Sequence, residues 1–315
     1  MRNFLFRGLL FGCPFVFYAL IVLILDPFGY YRDDIPFAHE THQISEAVNP
    51  HLYRILRFEK KPRTNIMLGD SRSVDLYQSF PDNKPNYQNW ALLSYEGSSL
   101  RELIDTFWWA ESMTDLDTVL FGIHLNQFND HKAKTWVSDA FQKSDSFFSY
   151  AFSQPVFRSI YHLFKGLLFS GEFTLGQPNM SRNEFWEYQL LTKPKRLYSN
   201  LIYPVNYIKE LQGISDFCDQ NHIVLMFWTP PTHISYQRKK EEFKLEKVDS
   251  LMKKQLVEWG DLYDFDLTSP ISIDSSNYSD PLHFKEQISI LIIDDLFGAV
   301  NQYSKYTHRN DGLRE

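Results

Sequence analysis

Three residues, in two distant stretches, have the types that nucleophilic catalysis needs. Ser71 stands in Asn65-Ile66-Met67-Leu68-Gly69-Asp70-Ser71-Arg72-Ser73, and Asp280 and His283 stand in Asp280-Pro281-Leu282-His283. A serine hydroxyl attacks a carbonyl only when a base takes its proton, and an imidazole of near-neutral pKa suits that task. A carboxylate beside the imidazole fixes its tautomer and stabilises the imidazolium that forms. Asp280 and His283, with Pro281 stiffening the segment between them, can meet on one tight turn without long-range help. Each piece also has a plain structural reading: Gly-Asp-Ser as a turn that caps a helix, and Asp-Pro-Leu-His as the start of the last one.

Residues so far apart in the chain need a frame that brings them together. From Thr64 the pattern alternates strand and helix. Strands are expected at Ile66–Leu68, within Tyr87–Leu93, at Asp117–Leu125, at Ile223–Trp228 and at Leu262–Phe265. Helical periodicity marks Ser98–Trp109, Val156–Phe169, Tyr207–Cys218, Glu242–Trp259 and Gln287–Phe297. Strands alternating with helices predict an α/β fold, a mainly parallel sheet covered on both faces. A serine just past the carboxyl end of the first strand then sits where such sheets place reactive groups. The rhythm breaks over 131–200, an aromatic-rich insertion read as a lid, a membrane-facing layer or additional core. Thr229-Pro230-Pro231-Thr232-His233 makes a rigid turn after the fourth strand, which puts His233 at the same end of the sheet.

The order of these pieces resembles the SGNH (GDSL-like) hydrolase superfamily: Gly69-Asp70-Ser71, a glycine after the second strand, an asparagine after the third, and a C-terminal Asp-x-x-His. The resemblance runs from about Thr64 to Phe297, less the insertion. It implies a flavodoxin-like three-layer α/β/α domain with Ser71 as nucleophile, Asp280 as orienting acid and His283 as base. It also implies an oxyanion hole of the Ser71 backbone N–H, Gly97 and Asn126. The family has Gly-x-Asn in its third block where this chain has His124-Leu125-Asn126, so Asn129 competes for that role. Arg72 and His233 are candidate substrate contacts. The layout is most similar to membrane-anchored extracytoplasmic members, such as the D-alanine transfer protein and the alginate O-acetylation proteins. That implies an O-acyltransferase or esterase acting on a cell-envelope glycan or exopolysaccharide, beside a polytopic membrane acyltransferase. A protein that keeps the fold as a non-catalytic binding or assembly platform is the alternative.

The N-terminus supports the membrane setting. No charge interrupts Gly8 to Leu25, a run long enough to cross the ~30 Å hydrocarbon core as a helix. Arg2 and Arg7 precede it and Asp26, Asp33 and Asp34 follow, which leaves the C-terminal bulk outside, in the periplasm or at the cell exterior. A cleaved signal peptide and a buried core helix are the alternatives, although no small-x-small cleavage site follows Leu25. The expected organisation is thus a signal-anchor transmembrane helix at 1–26, a juxtamembrane connector at 27–63, the catalytic domain at 64–300 and a polar tail at 301–315.

Composition excludes several classes. Hydrophobic residues make up 43% and aromatics 17% of 315 residues, too many for a disordered chain. A formal charge of −7 with no basic block argues against nucleic-acid binding. His39-Glu40-Thr41-His42 lacks the i,i+4 histidine spacing of the His-Glu-x-x-His zinc motif, and there is no phosphate loop, so neither metal nor cofactor is expected. Two cysteines, Cys13 and Cys218, offer no disulfide framework.

Overall fold

The structure is a computed structural model that describes residues 2–35, 37–81, 85–130, 135–169, 180–298 and 301–309. The side chains of 2–6, 8, 9, 85, 86 and 169 lie outside that description. In chain order, three helices come first: α1 (Arg2–Leu25), α2 (Ala38–Val48) and α3 (Pro50–Lys60). β1 (Asn65–Leu68), α4 (Ser71–Gln78), the single turn α5 (Pro85–Gln88), β2 (Trp90–Leu92), α6 (Leu100–Met113) and β3 (Thr118–Gly122) follow. Four helices then intervene: α7 (Trp136–Ser144), α8 (Phe147–Ala151), α9 (Gln154–Phe169) and α10 (Arg182–Tyr198). The alternation resumes with α11 (Val205–Gln220), β4 (Val224–Thr229), α12 (Ile234–Glu242), α13 (Glu246–Trp259) and β5 (Asp261–Asp264). α14 (Pro270–Ile273), α15 (Glu286–Phe297) and β6 (Lys305–Thr307) close the chain.

These elements form two compact units. Residues 1–61 and 136–178 make an all-helical one, and residues 62–135 and 179–315 make the α/β one. The interrupted stretch at 131–200 is therefore divided: α7 to α9 belong to the helical unit and α10 to the α/β unit.

In the α/β unit the six-stranded sheet has the order β2-β1-β3-β4-β5-β6. The first five strands are parallel, in the 2-1-3-4-5 order of flavodoxin-like sheets, and β6 adds antiparallel at the edge. Period-two alternation sends side chains to two faces. Met67, Leu120, Met226 and Trp228 pack with Leu76 of α4 and with Ile288, Ile292 and Leu296 of α15. On the other face Phe121 lies 5.7 Å from Phe227 and 6.3 Å from Phe107 of α6, which in turn meets Phe217 of α11 at 6.3 Å. The result is three layers, with α4 and α15 on one side of the sheet and α6 and α11 on the other.

Three local expectations are revised. The helix read over Glu242–Trp259 starts later, as α13 at Glu246, because Lys244 turns the chain at φ 58° after α12 ends at Glu242. The strand expected at Asp117–Leu125 leaves the ladder after Gly122. The polar tail contributes β6, whose edge pairing with β5 uses backbone groups and so needs no apolar side chains; residues 310–315 lie outside the described residues.

In the helical unit, the connector expected at 27–63 carries α2 and α3, and α2 packs on α9. Asp26, buried at the end of α1, accepts from the backbone N–H of Tyr30, Tyr31 and Arg32 and from the Tyr150 hydroxyl. Among the described residues, no helix is long and apolar enough to cross a membrane. The expected spanning run begins at Gly8 and Leu9, whose side chains lie outside the described residues.

Candidate active site

The site sits at the carboxyl ends of the parallel strands. β1 and β3 are neighbours there while their connections leave in opposite directions, which is the switch point where open α/β sheets bind ligands. β1 ends at Leu68, Gly69 and Asp70 make the turn, and Ser71 is the first residue of α4. The turn requires glycine. A Cβ on Gly69 would lie 2.0 Å from Ser73 Oγ, and one on Gly122 would lie 2.4 Å from the same oxygen and 2.7 Å from Trp228 Nε1. The two glycines thus let the first turn of α4 settle against the end of β3.

Asp70 caps α4, accepting from Arg72 N–H at 3.0 Å. It also forms a two-pronged ion pair with the Arg72 guanidinium, Nε to Oδ1 at 3.0 Å and Nη2 to Oδ2 at 2.5 Å. Burial works against the charge on Arg72, but Asp70 outweighs it and holds the guanidinium above its usual pKa. Arg72, expected as a substrate contact, is only 1% exposed, and its guanidinium is paired with Asp70 within the Gly69–Ser71 turn.

Late in the chain, Tyr278 and Phe284 bridge antiparallel and Ser279 N–H donates to His283 O, closing a tight turn. Within it Asp280 Oδ1 accepts from the N–H groups of Leu282 (2.8 Å) and His283 (3.2 Å), while Oδ2 meets His283 Nδ1 at 2.8 Å. His283 Nε2 lies 2.8 Å from Ser71 Oγ. The structure therefore brings Ser71, His283 and Asp280 into one hydrogen-bonded chain. Burial raises the Asp280 carboxyl, but the His283 ring and the two backbone N–H groups bring it below its usual pKa. Burial lowers the His283 imidazole, yet the hydrogen bond and charge of Asp280, with the charge of Asp75, raise it overall. Asp75, one turn beyond Ser71 on α4, is itself pushed up to about 6 by burial and by the carboxylates of Asp70, Asp280 and Glu96.

The loops after the first three strands are tied at Gly69, whose carbonyl accepts from Tyr95 N–H (3.0 Å) and from Ser98 Oγ (2.9 Å). Gln127 Nε2 donates to that Ser98 oxygen at 3.1 Å. Gly97 lies in this knot with φ 63°, a left-handed conformation that glycine adopts freely. Asn126, 4% exposed, takes Tyr236 OH on its Oδ1 at 3.1 Å. Its backbone N–H donates to His124 Nδ1 at 3.2 Å. That donation leaves Nε2 of His124 to carry a proton toward Asp266, 3.1 Å away. Asp266 in turn binds Lys240 Nζ (2.6 Å) and Thr232 Oγ1 (2.6 Å). Burial, with the nearby Arg72 and Lys240 charges, keeps His124 below its usual pKa. Asn129 is placed differently: its Nδ2 donates to Leu197 O and its Oδ1 accepts from Ile202 N–H, both at 3.0 Å.

His233 caps α12, and its ring meets Trp186 of α10 at 4.9 Å and Tyr278 at 5.7 Å. Its backbone N–H donates to Pro281 O at 2.9 Å, which ties the end of β4 to the Asp280–His283 turn. Arg182, at the start of α10, donates to the carbonyls of Ser275 and Tyr278. Sequence reasoning missed Asp75, His124, Tyr236, Asp266 and Trp186. Only Asp75, at i+4 from Ser71, carried a local signal; the others meet through the fold. Among the described residues, no group of three or more His, Cys, Asp or Glu side chains is arranged to hold a metal ion.

Fold and side chains together define an α/β protein with a serine–histidine–aspartate chain at its switch point. No family model matches the sequence, and no curated protein matches it. Solved structures match it distantly. One is described as a "putative acylhydrolase" from Bacteroides fragilis, at 9% identity and TM-score 0.37, covering 77% of this chain and 92% of that one. Another is described as a "putative platelet activating factor" from Streptococcus pneumonia, at 9% identity and TM-score 0.40, covering 81% and 92%.

Proposed function

We propose that this protein is a serine-dependent acyl-transfer enzyme, anchored in the cell membrane with its α/β unit outside the cytoplasm, that works on a cell-envelope glycan or exopolysaccharide. The observation that carries the catalytic reading is the unbroken chain Ser71 Oγ to His283 Nε2 to Asp280, two contacts of 2.8 Å each. His283 takes the Ser71 proton as Oγ attacks the acyl carbonyl, the leaving alcohol carries that proton away, and the acyl group rests on Ser71. Water or a sugar hydroxyl, deprotonated by His283, then removes it and restores the serine. Tyr236 occupies Oδ1 of Asn126, which leaves the amide N–H of that side chain, with backbone N–H groups at Ser71 and Gly97, as the oxyanion donors of this mechanism. The setting rests on the sequence: the exposed apolar side chains of α1 (Leu10, Phe11, Val16, Phe17) are those of the run expected to enter a bilayer. In this reading a polytopic membrane acyltransferase is the partner that supplies acyl groups.

The test is labelling of the full chain, in detergent, with a fluorophosphonate probe beside Ser71→Ala and His283→Ala. Labelling of the wild type alone is expected, as a stable phosphonyl group on Ser71 Oγ formed with loss of fluoride. A folded wild-type protein that stays unlabelled would favour the non-catalytic platform.

A further inference from the structure

α1 is held by its own unit partway along its length, not only at its end. The Tyr18 hydroxyl donates to Ala151 O at 2.8 Å, and its ring packs on Phe152 and Phe157 at 5.6 and 6.3 Å. Pro14 and Phe15 extend the contact, lining with Phe152 and Phe157 a cleft of about 490 Å³. Tyr18 precedes the end of α1 at Leu25 by roughly 10 Å along the axis, at about 1.5 Å per residue. A bilayer that takes in the apolar length of α1 therefore reaches the elbow between α8 and α9 as well.

The exposed surface of that elbow is suited to lipid. α9 buries Val156, Ile160 and Leu163 against its unit and turns Phe157, Tyr161, Phe164 and Leu168 outward, at 59%, 55%, 41% and 72% exposure. α8 adds Phe148 at 76%. Arg158 and Lys165, both exposed and two turns apart, run along one edge of the outward stripe, and the helix contains no acidic residue. An apolar face flanked by cations, without acids, is the pattern of a helix lying in the headgroup–acyl boundary of an anionic leaflet.

We propose that the α8–α9 elbow and the outward face of α9 lie in the surface of the bilayer that α1 enters, with Arg158 and Lys165 at anionic headgroups. The inference rests on the anchor reading of α1. Its test keeps the two apart. Full-length Cys13→Ser protein carries single cysteines in turn at Phe17, Tyr161, Phe164 and Leu168; the remaining native thiol, Cys218, is buried. Each is nitroxide-labelled and reconstituted in vesicles of phosphatidylcholine and phosphatidylglycerol. Labels at 161, 164 and 168 are expected to collide several-fold more often with dissolved oxygen than with a water-soluble nickel chelate, as at 17. Arg158→Glu with Lys165→Glu is expected to shift them toward the chelate. Chelate-accessible labels at 161, 164 and 168 beside a lipid-like label at 17 would overturn the elbow proposal and leave the anchor standing. Chelate access at 17 as well would overturn both. Spin–spin broadening between copies, with both reagents excluded, would show a second chain on this face and would also overturn it.

Discussion

Asp280→Asn removes one charge and leaves the shape of the site almost unchanged, and the turn around it dictates how the new amide must sit. Oδ1 accepts two backbone N–H groups, from Leu282 and His283. An amide can meet both only with its carbonyl oxygen there, which turns its NH₂ toward His283 Nδ1, where Oδ2 stood at 2.8 Å. A donor facing Nδ1 forces the imidazole proton onto Nε2, the atom 2.8 Å from Ser71 Oγ, so the base is already protonated. The flipped amide restores the productive tautomer but leaves Leu282 N–H and its own NH₂ without an acceptor, while His283 N–H keeps the Asp280 backbone carbonyl at 3.3 Å. Unpaired buried donors cost about 1–3 kcal/mol each, so the flip costs about 2–6 kcal/mol. At about 1.4 kcal/mol per decade, the active population falls about thirtyfold to about twenty-thousandfold. The assay is the second-order rate of fluorophosphonate labelling of the full chain, with melting curves to show that the variant folds. A loss of less than about tenfold would refute the claim that Asp280 sets the His283 tautomer.

Further outcomes follow from the same geometry. In the proposed mechanism Ser71 is activated only by neutral His283, whose pKa is raised, so labelling should rise with pH through a midpoint above the ordinary histidine value. Asp75→Asn removes one of the charges that raise it and should move that limb to lower pH in the labelling-rate profile. Asn126→Ala should slow acyl-enzyme formation by about 10²–10³-fold, the usual cost of an oxyanion donor. Asn129→Ala, which strands a backbone carbonyl and a backbone N–H, should instead lower stability by about 1–3 kcal/mol in denaturant melts with a smaller effect on that rate. Gly122→Ala should destabilise by about 1–3 kcal/mol, because its Cβ meets Ser73 and Trp228, and a melting temperature equal to wild type would contradict the close packing of α4 on β3.

Much of the α/β unit was legible in the sequence. Its three central strands, β1, β3 and β4, are short apolar runs buried almost throughout, and such runs carry their own signal. Asp280 and His283 were legible as a pair because one turn joins them, and Gly69-Asp70-Ser71 because a strand must break where a helix is capped. The helices at 38–60 were missed: their sequence, with His39, His42, Arg54 and Arg57, reads as polar connector until partners cover one side.

What the sequence by itself determined is therefore local: which segments are strand or helix, where the Gly69-Asp70-Ser71 turn lies, and that Asp280 and His283 share one turn. Only the tertiary structure decided which distant groups meet. Ser71 and His283 are 212 positions apart, and their contact exists because β1 lies inside the sheet and α15 packs against α4. Arg72 and Asn129 had the same local standing as Ser71 and Asn126, yet the fold pairs the first with Asp70 and the second with the backbone at 197 and 202. The His124–Asp266–Lys240 chain has no sequence signature, because burial gives those polar groups their partners and burial is a property of the whole packed domain.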